Sequence, residues 1–172
     1  MSDSQAKTHA NFSLPATIVT KVDVSRLVRE LERVDNELTT MAVRVKIGAS
    51  VADSPVLSDQ LAEFLGCNDI SLGTSAQRSE LIKQLRLLKD SLPVIHMTFA
   101  VPADRESLGQ LAQWLRTTIH PQVVIAAGLQ PALVAGVYMR TPNKVHDLSL
   151  RAQLDGQHDL LVKELESLRG RK

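Results

Sequence analysis

The hydrophobic residues of this chain keep one period up to Pro93 and change it there, and that change constrains the fold more than any other feature. Before it, apolar side chains recur every three or four positions, the spacing of a helix face; after it they first alternate, the spacing of a half-buried strand. The clearest stripe before the switch is Val24, Leu27, Leu31, Val34, Leu38, Met41 and Val45. Its steps run 3, 4, 3, 4, 3, 4, a heptad seam with a mixed-charge outer face at Arg26, Arg29, Glu30, Glu32, Arg33 and Glu37. Asp23 is the expected N-cap and Gly48 the stop. A short helix is expected after Ser54 and Pro55, using Leu57, Leu61, Phe64 and Leu65 and closing at Gly66. Residues 67–74 read as a loop, and Thr74 with Gln77 forms a capping box for a third helix with Leu81, Leu85, Leu88 and Leu92. Pro93 ends it.

Beyond the switch, Ile95, Met97, Phe99 and Val101 alternate with less apolar neighbours up to Pro102. Asp104 caps a helix with an apolar face of Leu108, Leu111, Ala112, Leu115 and Ile119, and Pro121 breaks it. Val123–Ala127 is a second strand, and the short strand–helix–strand run predicts a parallel unit. Val134–Arg140 is a third strand, Thr141-Pro142-Asn143-Lys144 a turn, and Val145 opens a short fourth strand. The last helix starts near Ser149 and uses Leu150, Leu154, Leu161, Leu165 and Leu168, with a weak point at Gly156. The fold class is therefore α+β and mostly helical. A disordered N-terminus (1–13) precedes a small helical bundle (14–93), followed by a C-terminal β-α-β-β-α domain (94–172) with a small mixed sheet.

Charge and composition narrow the function. Residues 1–93 carry eleven Lys or Arg against twelve Asp or Glu, a balance of −1; residues 94–172 carry nine against seven, a balance of +2. Neither half has the basic excess of a nucleic-acid surface, and the five aromatic residues are not interleaved with cations. No apolar run approaches the ~20 residues of a membrane span, and Met1–Asn11 lacks the apolar core of a signal peptide. The lone Cys67 has no metal-ligand spacing around it and fits a reducing compartment.

Catalytic motifs are not found. The sequence has no phosphate-binding Gly-rich loop ending in Lys-Ser/Thr, no H-E-x-x-H, no C-x-x-C and no G-x-S-x-G. The five histidines are scattered, so no catalytic, cofactor-binding or metal-binding residue is assigned. Two other classes of reading stay open. One is a coiled-coil adaptor or dimerisation module built on the heptads. The other is a small enzyme in which His96 and His146, both on expected strands, meet in the fold.

The stretch LVAGVYMRTPNKVHDLSLRAQL, Leu133–Leu154, resembles the C-terminal signature of the F-type ATP synthase delta subunit, the family of the mitochondrial oligomycin-sensitivity-conferring protein. Ala135-Gly136 matches a small pair before a strand, and Arg140 a basic residue at the strand end. Val145, Asp147, Ser149, Arg151 and Leu154 match the step into the last helix. The likeness covers roughly residues 94–168; Leu148 and Ala152 stand where the family usually has Gly. Its N-terminal domain has six helices, where three are expected here. The resemblance implies a non-catalytic peripheral-stalk subunit without a cofactor, on the cytoplasmic side of a membrane it meets only through the complex. It would join the N-termini of the alpha subunits to the C-terminal helices of the b subunits. On that reading Leu161, Leu165 and Leu168 offer a stripe to a b helix. Leu27, Leu31, Val34 and Leu38 form either the helical core or a groove for the alpha subunit.

Overall fold

A computed structural model describes residues 11–48, 54–141, 143–157, 162–163 and 165–166. The chain divides into two compact units that are not sequential halves: 1–93 with 108–124, and 94–107 with 125–172. The architecture is α+β, with a helical N-terminal region and a C-terminal mixed sheet with flanking helices.

In the first unit, α1 (Lys21–Lys46), α2 (Asp59–Asn68) and α3 (Ser75–Ser91) bury Val24, Leu27, Leu31, Val34, Leu61, Phe64, Leu81, Leu85 and Leu88. Each such side chain contributes about 2 kcal/mol by leaving water. Arg78 bonds to Asp35 and Arg86 to Glu32, each at 2.6 Å, so α3 runs antiparallel to α1. The unit also takes in α4 (Arg105–Thr118) from Leu108 onward, with Ala112 and Leu115 buried. Ile119 lies past the end of α4 and is exposed.

Three local expectations are corrected. Asp23 is not the N-cap of α1 but its third residue. Thr20 caps, and the Asp23 carboxylate reaches back to the amides of Val19 (3.1 Å) and Thr20 (2.9 Å), closing a capping box. The second helix starts after Ser58 rather than Ser54, because Glu30 of α1 accepts from both the amide and the hydroxyl of Ser58 at 2.6 Å. That helix also runs through Gly66, ending where Asp69 turns left-handed at φ 54°. The expected box of Thr74 and Gln77 is present. Replacing Thr20 by Ala is expected to cost about 1 kcal/mol, read as a lowered thermal midpoint, since the hydroxyl that accepts from the Asp23 amide and donates to the Asp23 carboxylate is lost.

Part of the segment expected to be disordered, residues 1–13, is also ordered: Phe12 is buried and Ser13 bonds to Asn68. Residues 1–10 lie outside the described part.

The second unit holds β1 (Val94–Phe99), β2 (Val124–Leu129, from Ile125 onward), β3 (Gly136–Arg140), β4 (Val145–Ser149) and α5 (Leu150–Gly156). The strand order is β2-β1-β3-β4. Val124 N donates to Pro93 O and Gln130 N to Phe99 O, so β2 advances in step with β1 and the pair is parallel. The pairs β1–β3 and β3–β4 are antiparallel. Thr141 and Lys144 close the β3–β4 turn through Thr141 N to Lys144 O (2.8 Å) and Lys144 N to the Thr141 hydroxyl (3.0 Å). Ser149 caps α5, whose described extent ends at Gly156.

Candidate functional site

Of the residues that carry the resemblance, Ala135, Gly136 and Ser149, followed by Arg151 and Leu154 on α5, form one corner of the second unit, while Arg140 pairs with Val145 at the opposite end of β3 and β4. Leading into the corner, Pro131–Leu133 makes a single 3-10 turn. Val134 follows at φ 62° and ψ −55°, and Ala135 N donates to Leu133 O at 2.6 Å. This is the γ-turn of positive φ, a strained form that a β-branched residue adopts only under constraint. The turn aims the Ala135 carbonyl at the start of α5, where it accepts from Leu150 N at 3.0 Å. Gly136 comes next at φ 94°. A Cβ built on it would strike the Leu148 carbonyl and lie 2.8 Å from the Ser149 Cα. Hence the small pair Ala135-Gly136 lets β3 lie against the end of β4. Val134→Gly is expected to stabilise this corner by about 1 kcal/mol, measured by denaturant melts, because the substitution relieves the strained φ.

On the facing side, Asp147 accepts from Ser149 N at 2.9 Å, and the Ser149 hydroxyl accepts from Ala152 N at 3.3 Å. The Ser149 hydrogen bonds and the nearby Arg151 charge hold the Asp147 carboxyl below the ordinary value. A depressed carboxylate pKa contributes stability above the ordinary value and loses it on acidification through the folded one. Asp104 is lowered in the same direction by the amide and hydroxyl of Ser107, at the start of α4. Arg151 lies 3.9 Å from Asp155, both exposed, so this pair adds little. Arg140 is exposed at the strand end, level with His96 on β1 and Val145 on β4.

Sheet register sorts the side chains. Met97, Met139 and His146 share one face with Phe99, Val137 and Leu148; His96, Arg140 and Val145 share the other with Thr98, Tyr138 and Asp147. His96 and His146 therefore lie on opposite faces, and the sheet does not assemble a histidine pair. Along the apolar face, burial fades toward the edge: Ile95 and Met97 are buried, Phe99 and Val137 half-buried, and Leu148 is 50% exposed. Beyond β4, Leu150 and Leu154 (47%) are exposed. Leu165 is 63% exposed, while Leu161 and Leu168 lie outside the described residues.

The other proposed surface sits inside the first unit. Leu27, Leu31 and Val34 are fully buried and Leu38 half-buried, so the seam is core up to Val34 and opens only along the last turns of α1, where Val45 is exposed. No group of three or more His, Cys, Asp or Glu that could hold a metal ion occurs among the described residues. Cys67 is exposed. Among the described residues no helix is long and apolar enough to cross a membrane.

Two features carried no signal in the sequence. The positive φ of Val134 has no residue signature. The buried Arg116, Asn68 and Gln122 were unremarkable as letters, because what they bond is main chain far away in sequence. A scan against protein-family models gives no match, and a search of curated proteins finds no significant relative.

Proposed function

We propose that this chain is a non-catalytic peripheral-stalk subunit of an F-type, proton-translocating ATP synthase, linking the catalytic head to the stalk of b subunits. The observation that carries the reading is the corner at 133–154. Residues of the resembling stretch are interlocked there by the Gly136 contact, the Ala135–Leu150 hydrogen bond and the Ser149 cap, next to exposed leucines at 148, 150 and 154. A stalk attachment must resist torque, and a nanomolar complex corresponds to about −12 kcal/mol. Affinity of that size comes from apolar anchors packed at an interface centre, not from exposed pairs such as Arg151–Asp155. Leu148, Leu150, Leu154 and Leu165 are anchors of that kind, and their partner is the C-terminal helix of a stalk b subunit. The N-terminus of the alpha subunit is the second partner, met by the helical unit.

The test is sedimentation of the purified chain with synthase-containing membranes washed free of their peripheral subunits. Wild type is expected to pellet with the membranes. Leu154→Asp is expected to weaken this by about tenfold or more while leaving the circular dichroism spectrum unchanged. Equal binding by the variant would remove Leu154 from the interface. No binding by the wild type would overturn the reading itself.

A further inference from the structure

The segment from Phe12 to Val19 lies in the first unit as neither helix nor strand, yet Phe12, Leu14, Ile18 and Val19 are buried. Its main chain is hydrogen-bonded largely by side chains of other elements. Asn68 accepts from Ser13 N (2.8 Å) and donates to Ser13 O (2.9 Å). Gln122 donates to Phe12 O at 3.1 Å and Gln60 to Thr17 O at 2.9 Å. Arg116 donates to Leu14 O (3.0 Å), Pro15 O (2.8 Å) and Ile18 O, with Val123 O as its fourth acceptor (3.1 Å). Pro15 brings no amide that would need an acceptor. Within the segment Ile18 N donates to Pro15 O at 3.1 Å, making a turn, and fixed side chains of other elements bond the carbonyls on either side of it, the kind of main-chain anchoring by which proteins hold peptides.

We infer that the first unit is a binding groove for an apolar peptide that carries a turn, and that residues 12–19 of this chain, with their turn from Pro15 to Ile18, are its built-in occupant, locked by Arg116. The inference is independent of the stalk reading and rests on the first unit alone. Arg116 is 7% exposed, and its hydrogen-bond partners are carbonyl oxygens. Three of the four belong to the segment, so release of the segment would leave a buried cation with Val123 O alone. A buried cation is tolerated only while its donors are satisfied. That makes the occupied groove self-enforcing: it empties only if water or another peptide with the same carbonyl spacing replaces the segment. The planar guanidinium spans several carbonyls in a way a lysine ammonium does not. Burial lowers its pKa to about 10, which leaves it charged at neutral pH. The ligand class is a peptide with an aromatic residue, an aliphatic two positions on and, across a turn, another four further, the pattern of Phe12, Leu14 and Ile18.

Hydrogen exchange on the full chain tests this, comparing wild type with Arg116→Met and with the milder Gln122→Ala. A fluorescent synthetic peptide spanning residues 11–20 serves as the probe. In Arg116→Met, the amides of Ser13 and Ile18 are expected to exchange at least roughly tenfold faster, while those of α1 and α3 change little. The same variant is expected to bind the labelled peptide saturably, and wild type, already occupied, not to. If Arg116→Met does not fold, Gln122→Ala provides the same comparison. Acceleration of α1 and α3 in step with residues 13–18 would make the segment an inseparable part of the core and overturn the inference. So would unchanged exchange in the segment, or a released variant that does not take up the peptide.

Discussion

Gly136→Ala is expected to destabilise the second unit by about 3 kcal/mol, a loss large enough to appear as a separate, earlier transition in thermal or denaturant unfolding. Two costs add. At φ 94° an L side chain is strained whatever the space around it. The new methyl would also meet main chain rather than a movable side chain, the Leu148 carbonyl and the Ser149 Cα at 2.8 Å. The strands must part at the corner, and the hydrogen bond from Leu150 N to Ala135 O goes with them. Hydrogen exchange of the β3 and β4 amides would locate the damage. A melt superimposable on wild type would mean that β3 and β4 do not approach so closely.

Phe64→Ala is expected to cost about 4 kcal/mol. Phe64 is fully buried on α2, and its ring meets Phe12 edge to face, with centroids 5.5 Å apart and planes at 69°. Truncation leaves a cavity that the surrounding aliphatic side chains fill only in part, and it removes the aromatic pair, worth about 1 kcal/mol beyond its area. The measurement is equilibrium urea unfolding followed by circular dichroism at the helix band. Adding Phe12→Ala should then cost less than it does in wild type, since the pair is already broken. Additive losses would mean that the two rings do not interact.

What was legible in the sequence was what local chemistry decides. The stripe of α3 with its Thr74–Gln77 box, the alternation of β1 and the Ser149 cap depend on residues a few positions apart, and each is present. What was not legible was decided by partners far along the chain. Ser54-Pro55 is as good a helix start as Ser58 by local rules; Glu30, 28 residues earlier, selects Ser58. Gly66 is a sound stop signal, but Asn68 ties α2 to Ser13, 55 residues away, and the helix continues past the glycine. The seam on α1 is uniform in sequence, and packing against α3 and α2 separates its buried half from its open end.

The candidate site was read more unevenly. Gly136 was expected as half of a small pair before a strand, and its contact with Leu148 and Ser149 shows why a small residue stands there. The two histidines were placed on strands correctly, but their relative facing depends on register, which pairing across β3 sets and neither strand reveals alone. The γ-turn at Val134 was invisible, because its strain is sustained by the corner that follows it and not by the residue itself.

The stalk reading is tested most directly by retaining the tagged full chain from detergent-solubilised native membranes and identifying everything bound. Recovery of the alpha, beta and b subunits in near-stoichiometric amounts is the expected result. Recovery of none of them, from membranes in which the synthase is present, would contradict the reading and leave the likeness at 133–154 as one of local structure only.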